Sequence, residues 1–298
     1  MMVDSEDCSP VAWVFAGQGI QYPGMGQDLL RRYPDLVDIA DEVLGYSVAR
    51  LCAGDPERQL DNTVYSGPAV YLVNALAARS RRDETGEQPV VTIGHSTGEF
   101  NALEVAGVLE FAEGLRLVAA RAEAMARIDG GGMLTVLGLS EEKVREVIDS
   151  GFEELDLAAM NSPQNFTLAG PEMEVIQIAP VLLACGARAV RRLQISVPSH
   201  SRYMRSAAVE FRGSLNNVTF SVPEIAVFSN VTAEPHNPGS IGSRLVDHLT
   251  SPVQWQRSIE NCMEMFNPRF VEIGQENILT PIIAHIARTL SQGNLAAA

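Results

Sequence analysis

Residues 90–103 read VVTIGHSTGEFNAL, and this stretch decides the fold. A short β-branched run ends at Gly94, and a helix-like apolar pattern follows Gly98. Strand, glycine, serine, glycine and helix in this order are typical of a nucleophile elbow, which presents a serine at the end of a strand. A side chain at either glycine would obstruct so tight a turn. The following helix directs its N-terminal N–H groups at the same place, so the sequence predicts a reactive Ser96 beside an oxyanion site.

The same residues also fit a simpler interpretation. An ordinary strand-to-helix turn with a glycine at each end has the same pattern, and G-x-S-x-G also occurs by chance. The stretch alone leaves both interpretations open. The choice depends on whether the rest of the chain supplies a base for Ser96.

Size and composition are those of a globular protein with one large domain or two smaller ones. The chain has 298 residues, of which 46% are hydrophobic and 20% are charged. The net charge is −15, from 22 basic and 37 acidic residues. This acidic balance argues against nucleic acid as a general partner.

The compartment is indicated by the termini and the cysteines. No apolar run reaches the roughly 18 residues of a membrane span, and the acidic start MMVDSEDCSP does not resemble a signal peptide. The four cysteines are far apart and have no zinc-site spacing: Cys8, Cys52, Cys185 and Cys262. We therefore expect a cytoplasmic protein with reduced thiols, no metal and no redox cofactor.

The first part of the chain alternates between strand-like and helix-like segments. Val11–Phe15 reads as a buried strand, and another strand leads into Ser96. Amphipathic or apolar helices are expected over residues 28–44, 67–79 and 111–128. This alternation predicts an α/β fold with a mostly parallel sheet that is covered on both faces.

The pattern changes at the glycines 130–132, which we interpret as a hinge. Beyond them the order of elements is β-α-β-β-α-β, over residues 133–139, 141–148 with Ser140 as N-cap, 155–160, 166–169, 172–185 and 187–196. This is the ferredoxin-like arrangement. We therefore expect a small ferredoxin-like subdomain over residues 130–196, inserted into a large subdomain formed by residues 1–129 and 197–298.

A serine is inert near neutral pH without a base, and the chain has five histidines. His200, in the segment ISVPSHSRYM, is the best candidate because it follows the return from the inserted subdomain, where a cleft is expected. His95 lies in the elbow and is expected to flank the nucleophile. His236, in the turn AEPHNPG, is expected to be solvated, and His285, on a late helix, to be structural.

Nine segments occur in the order and spacing found in malonyl-CoA:acyl-carrier-protein transacylases, so the chain resembles this family over about residues 11–288: VFAGQGIQYPGMG, GHSTGEFNALEVAGVLEF, the arginine of LVAARAEAM, GGGMLTVLGL, NSPQNFTLAG, SVPSHSRYM, FSNVTAEP, HLTSPVQWQRSIE and FVEIGQENILT. The segment from VLGYSVARL to YLVNAL is similar to discrete, trans-acting acyltransferases that load modular polyketide synthases. The resemblance implies a large α/β-hydrolase-like subdomain, transfer of malonyl from malonyl-CoA to a carrier protein in polyketide biosynthesis, and no cofactor.

The resemblance also implies roles for individual residues. Ser96 corresponds to the serine that is acylated, and His200 to the base that takes its proton. The family has a dyad without a triad carboxylate, and a backbone carbonyl orients the histidine. That carbonyl falls at His248, where the fatty-acid enzymes commonly carry glutamine. The oxyanion hole corresponds to the backbone N–H groups of Gln18 and Thr97, which contribute up to roughly 3–4 kcal/mol each.

Arg121 corresponds to the family's arginine that binds the free carboxylate of malonate. A guanidinium binds a carboxylate bidentately and stays charged when it is desolvated. By spacing alone, Arg121 would instead be a surface arginine in a network with neighbours on its helix, namely Arg116, Glu123 and Arg127. The resemblance decides for the ligand role. Gln18 and Asn161 are further candidates for polar contacts with the acyl group.

The chain departs from the family pattern at several positions. Ala16 replaces the usual proline before GQG, and Ile20 replaces a serine. Residues 66–69 read SGPA where relatives carry T-Q-P-A, and the loss of glutamine is expected to enlarge or loosen the pocket floor. The VPSH motif ending at His200 has the form of the malonyl enzymes of fatty-acid synthesis. We therefore expect malonyl-CoA to be the preferred donor.

The carrier protein that the resemblance implies is usually acidic, and so is this chain. Association therefore requires a local basic patch. The candidates for the docking face are Arg191, Arg192 and Arg202, with Arg188 and Arg205 nearby. The alternative is that these arginines are scattered solvated charges.

Two rival functions stay open at this point. One is an acyl hydrolase that clears stalled carrier proteins; such enzymes tend to lack the arginine, so Arg121 weighs against it. The other is a non-catalytic carrier-binding protein on an inactive enzyme fold. The presence of both Ser96 and His200 argues against this second function.

Overall fold

The computed structural model describes residues 9–195 and 197–297, and the side chains up to residue 292. Most of the acidic N-terminal segment, with Cys8, and Ser196 lie outside the described residues. Within these residues the strands are β1 Val11–Phe15, β2 Val91–Gly94, β3 Gly131–Leu137, β4 Asp156–Ser162, β5 Asn165–Pro171, β6 Ala189–Arg192, β7 Ala226–Phe228 and β8 Arg269–Ile273. The α-helices in the same part of the chain are α1 Gln27–Arg32, α2 Pro34–Leu44, α3 Val48–Gly54, α4 Thr63–Thr85, α5 Gly98–Val105, α6 Phe111–Ala126, α7 Glu141–Asp149, α8 Glu172–Ala184, α9 Arg205–Ser214, α10 Ile241–Asp247, α11 Trp255–Phe266 and α12 Leu279–Ala297.

A four-stranded parallel sheet has the strand order β7-β2-β1-β8. Its central strand, β1, is buried along its whole length, because helices cover both faces of the sheet. Trp13 and Phe15 point to one apolar core and Val14 to another. The α/β fold with a parallel sheet is confirmed. The carboxyl ends of β1 and β2 lie side by side, and the register pairs Phe15 with Gly94.

A second, antiparallel sheet has the strand order β4-β5-β3-β6. Along the chain its elements follow the predicted order β3, α7, β4, β5, α8 and β6. The side chain of Ser140 accepts a hydrogen bond from the backbone N–H of Lys143, as expected of an N-cap. Buried aliphatic residues of both helices form one core with the sheet. The final strand is shorter than expected and ends at Arg192.

Two helices differ from the sequence prediction. The helix predicted over residues 28–44 is two helices, α1 and α2, because Pro34 begins α2 and Tyr33 before it leaves the helical conformation, with φ −122° and ψ 59°. The helix predicted over residues 67–79 is longer at both ends. Asn62 caps it by accepting a hydrogen bond from the Val64 N–H, so Pro68 lies inside the helix.

Strand β4 of the second sheet is bonded to the loop before α11. Met160 of β4 donates a backbone hydrogen bond to Val253 O at 2.9 Å, and the Val253 N–H returns one to Ala158 O at 2.9 Å. Gly131, at the start of β3, packs so closely on Pro198 that a Cβ would lie 2.1 Å from the proline ring. The loop with His200 therefore passes directly beside the second sheet.

Helix length and cysteine chemistry give two further observations. Among the described residues, no helix is long and apolar enough to cross a membrane. Cys52, Cys185 and Cys262 are free thiols. Burial raises the pKa of the Cys52 and Cys262 thiols to about 12, so these two are inert at neutral pH.

Candidate active site

Ser96 lies in a strand-to-helix turn that only small neighbours allow. Its φ is +53°, in the left-handed region that few residues other than glycine adopt. A Cβ on Gly94 would lie 2.0 Å from the backbone of Gly98, and a Cβ on Gly98 would lie 2.3 Å from Phe15 O. The glycines on both sides of the serine are therefore required by the close approach of β1, β2 and α5.

Asn230, just after β7, holds this turn in place. Its Oδ1 accepts a hydrogen bond from the Ser96 N–H at 2.8 Å, and its Nδ2 donates to Gly94 O at 2.6 Å. The backbone N–H of Ser96 is thus paired by a buried side chain from the segment that follows β7. The sequence analysis missed Asn230, although it lies in the FSNVTAEP segment that contributed to the family resemblance.

The predicted dyad is assembled. The Oγ of Ser96 is 2.7 Å from Nε2 of His200, and Nδ1 of His200 is 2.8 Å from the backbone carbonyl of His248. A carbonyl can only accept, so Nδ1 carries the proton and Nε2 presents its lone pair to the serine hydroxyl. His200 also has a positive φ of 59°, so both dyad residues have left-handed backbones.

Burial controls the protonation of the base. His200 is only 4% exposed, and desolvation lowers its imidazole pKa well below 6.5. The nearby His248 ring and the Arg121 charge lower the pKa of His200 further. The imidazole is therefore neutral at neutral pH and can accept a proton.

The backbone N–H groups of Gln18 and Thr97 are the predicted oxyanion donors. A Cβ on Gly17 would be 3.2 Å from both Thr97 N and Ser96 Cβ, which places the loop after β1 against the turn. Within the described part of the chain neither amide donates to a protein acceptor. The Gln18 side chain donates a hydrogen bond to Ser66 Oγ at 2.8 Å. The first residue of the S-G-P-A segment therefore fixes the Gln18 side chain.

Arg121 is buried, with 2% exposure, so the alternative interpretation of Arg121 as a surface arginine is wrong. Arg116 and Arg127 pair instead with Glu113 and Glu210. One guanidinium nitrogen is 3.4 Å from Thr97 Oγ1, whereas Nε and Nη2 have no hydrogen-bond partner among the described residues. Desolvation lowers the Arg121 pKa to about 10, which leaves it charged at neutral pH. An unpaired buried cation beside Ser96 is suited to an anionic ligand.

His95, which precedes Ser96 in the chain, pairs with Asn161. His95 Nε2 is 2.9 Å from Asn161 Oδ1, and its ring packs near Trp255. Burial lowers the His95 pKa to about 4. The Asn161 amide group also lies 3.3 Å from Thr167 Oγ1, so the side chain is held by the second sheet. His95 is next to Ser96 in the chain, but His200 is the histidine within hydrogen-bond distance of the Ser96 hydroxyl.

A buried carboxylate lies beneath the dyad, and the prediction that His236 is solvated is wrong. His236 is 8% exposed because its N–H bonds Val227 O, which folds the turn back onto the sheet. Its Nε2 is 2.7 Å from Glu99 Oε1, and Glu99 Oε2 is 3.0 Å from Nδ1 of His248. Burial alone raises the pKa of Glu99, but His248 and His236 outweigh it and bring the pKa to about 2.

Two cavities of about 390 Å³ each lie at opposite ends of β4. The lining of one includes His200, Arg202, Arg205 and Asp156. The lining of the other includes Ser162, Arg188, His285 and Arg288. His285 Nδ1 lies 3.2 Å from Ser162 Oγ in that second cavity.

The predicted docking arginines differ in their partners. Arg192 pairs with Glu172, and Arg202 is held by Asp156 through its side chain and its backbone N–H. Arg191 is exposed and has no ion-pair partner among the residues that the structure describes.

The profile of the acyl transferase domain matches residues 12–296. The chain therefore belongs to the acyl transferase family. It is 37% identical to the polyketide biosynthesis malonyl CoA-acyl carrier protein transacylase PksC of Bacillus subtilis, over 93% of this chain and 97% of PksC. It is 39% identical to the polyketide biosynthesis proteins PksE of B. subtilis and ThaF of Burkholderia thailandensis, but spans only 36% and 24% of their lengths.

Solved structures agree with this membership. A malonyl CoA-acyl carrier protein transacylase from Burkholderia pseudomallei superposes with a TM-score of 0.92 at 36% identity, covering 94% of this chain and 98% of that one. A malonyl-transacylase in complex with a type II polyketide synthase acyl-carrier protein superposes with a TM-score of 0.89 at 31% identity, covering 94% of each chain.

The depressed pKa of His200 leads to a prediction about the rate of Ser96 acylation. The neutral imidazole is the active form, so the rate rises as pH increases through the His200 pKa and then stays level. The acidic limb should therefore lie well below the ordinary histidine value of about 6.5. Rapid-quench measurements of acylation between about pH 5 and pH 8 test this. A midpoint at or above the ordinary value would contradict it.

Proposed function

We propose that this protein transfers a malonyl group from malonyl-CoA to the phosphopantetheine thiol of an acyl carrier protein, through an acyl intermediate on Ser96, in polyketide biosynthesis. The observation that carries the proposal is the 2.7 Å contact between Ser96 Oγ and His200 Nε2, next to the buried and partly unpaired guanidinium of Arg121. The names of PksC and of its Bacillus velezensis counterpart BaeC describe those proteins as polyketide malonyl CoA-acyl carrier protein transacylases.

The first half of the reaction loads the serine. His200 Nε2 accepts the proton of Ser96 as Oγ attacks the thioester carbon, and the N–H groups of Gln18 and Thr97 stabilise the resulting oxyanion. The carbon–sulfur bond then breaks, and His200 returns the proton to the sulfur of CoA. The His248 carbonyl, at 2.8 Å, stabilises the imidazolium that exists between these two steps.

The second half repeats the same chemistry with the carrier protein. Its phosphopantetheine thiol gives a proton to His200 and attacks the malonyl ester, and Ser96 leaves with that proton. Serine and imidazole supply every group that the two transfers require, so we propose no cofactor, and malonyl-CoA is a substrate. Water must react more slowly than the thiol for transfer to prevail over hydrolysis.

Arg121 selects the acyl group in this proposal. Its free Nε and Nη2 form a fork that can bind the far carboxylate of malonate, and burial excludes the water that would otherwise solvate it. Gln18 and Asn161 are further candidates for polar contacts with the acyl group. A proofreading hydrolase that acts on varied acyl groups has no use for a buried cation here, so transfer is favoured over that alternative.

We also propose the division of the chain on which this mechanism depends. Residues 1–129 and 197–298 form an α/β-hydrolase-like subdomain that carries the dyad, and residues 130–196 form a ferredoxin-like subdomain that covers it. The strand orders of the two sheets support this division. The free thiols of Cys52, Cys185 and Cys262 support a reducing, cytoplasmic location.

Acylation of Ser96 is tested by intact-mass spectrometry. Incubation with malonyl-CoA should add one malonyl group to the protein, and Ser96→Ala should show no adduct because it lacks the nucleophile. Ser201→Ala is the matched control, since Ser201 lies next to His200 in the chain but its hydroxyl bonds Pro198 O. Addition of carrier protein should move the malonyl group to the carrier. Release as free malonate would instead identify a hydrolase.

Arg121→Ala should change the choice of acyl donor. Loss of the guanidinium should lower kcat/KM for malonyl-CoA by about 100-fold or more and leave acetyl-CoA much less affected, because acetyl has no carboxylate to bind. Arg116→Ala, on the exposed face of the same helix, is the control. Equal losses with both donors would remove Arg121 from the specificity role.

The docking face is also a proposal. Arg191, Arg192 and Arg202 are the candidate contacts for an acidic carrier protein, and Arg191 gives the sharpest test because its charge is unpaired among the described residues. Arg191→Glu should raise KM for the carrier several-fold and leave acylation by malonyl-CoA unchanged. Arg50→Glu, an exposed charge on α3, is the control. A similar effect of both variants would argue against a specific docking face.

A further inference from the structure

Glu99 is a charged group that the proposed mechanism does not use. It lies in the first turn of α5, three residues after Ser96, and is 1% exposed. An ionised carboxylate in such a place costs several kcal/mol unless it is paired. Its two oxygens face two histidines, His236 Nε2 at 2.7 Å and His248 Nδ1 at 3.0 Å.

These contacts connect separate parts of the chain. Glu99 belongs to the helix that follows the nucleophile, His236 to the turn after β7, and His248 to the C-terminal end of α10. The Glu99 carboxylate is hydrogen-bonded to His236 on one side, and on the other side its second oxygen lies 3.0 Å from His248 Nδ1 without a formed hydrogen bond. The ring of His248 therefore lies beside the carboxylate.

His248 touches the base in two ways. Its backbone carbonyl accepts the Nδ1–H of His200, and its ring lies against the His200 ring with 4.6 Å between the centroids and 36° between the planes. Arg121 and His95 also act on His200, and each disfavours a proton there. Asp156, Arg202 and Arg205 line the cavity beside His200. The His248 ring likewise disfavours that proton, so the position of this ring bears on the base.

We propose that His248 is a positioning residue for the dyad base, and that Glu99, shared with His236, fixes the His248 ring against the His200 ring. The inference rests on the proposed function, because it assigns the role of a neighbour of the His200 base. Glu99 then acts on the dyad through His248, whereas the carboxylate of a catalytic triad contacts the histidine directly. The side chain of residue 248, and not only its carbonyl, then matters for the reaction.

The test compares two variants of nearly the same chemistry. His248→Gln keeps the backbone carbonyl and removes the imidazole that packs on His200, whereas His236→Gln removes the other partner of Glu99 without touching the base. The His200 titration is followed by NMR of histidine-labelled protein, with the signal assigned from His200→Gln. Acylation of Ser96 by malonyl-CoA is measured on the same samples over the same pH range.

His248→Gln should raise the titration midpoint of His200 by about half a pH unit or more, because a neighbouring imidazole that opposes its protonation has gone. The acidic limb of the acylation rate should move upward by the same amount. His236→Gln should move the midpoint by less than half as much. Should His248→Gln not fold, His248→Asn gives the same comparison.

A His200 midpoint that is unchanged in the position-248 variant, or that moves equally in both variants, overturns the inference. The NMR midpoint does not depend on catalysis, so failure of this inference and failure of the proposed function are distinguishable. Wild-type protein that forms no malonyl adduct would refute the proposed function. Wild-type protein that is acylated, with an unmoved His200 midpoint in the variant, would refute this inference alone.

Discussion

The site depends on how closely the first turn of α5 approaches the ends of β1 and β2. Residues 94 and 98 lack the space for a Cβ, and this close contact pushes Ser96 into a left-handed backbone at the edge of the sheet. The side chain of Asn230 then accepts a hydrogen bond from the Ser96 N–H. The position of the serine hydroxyl therefore follows from backbone packing, and every other group of the site is arranged around a fixed nucleophile.

Burial gives the surrounding groups their chemistry. Desolvation keeps the imidazole of His200 neutral, so it can act as a base, while Arg121 stays charged in the same environment because of its high intrinsic basicity. The Glu99 carboxylate remains ionised only because two histidines face it. A single buried cluster thus contains a neutral base, a free cation and a paired anion.

The sequence was sufficient for the parts of the molecule that depend on local patterns. The elbow, the order of the six elements in the second sheet and the Ser140 cap all follow from residues close together in the chain. His236 was misjudged because its burial comes from a turn that folds back on the sheet, which its polar neighbours do not reveal. The pairing of Arg202 with Asp156 joins residues far apart in the chain, so no local pattern could predict it.

The backbone hydrogen bonds between β4 and Val253 have a consequence for the order of events. They hold β4 of the second sheet to the loop before α11, beside the cavity that His200 lines. In the proposed reaction, spent CoA leaves before the free thiol of the carrier's arm enters, because the same serine and imidazole serve both steps. Donor and acceptor then take turns at one fixed site.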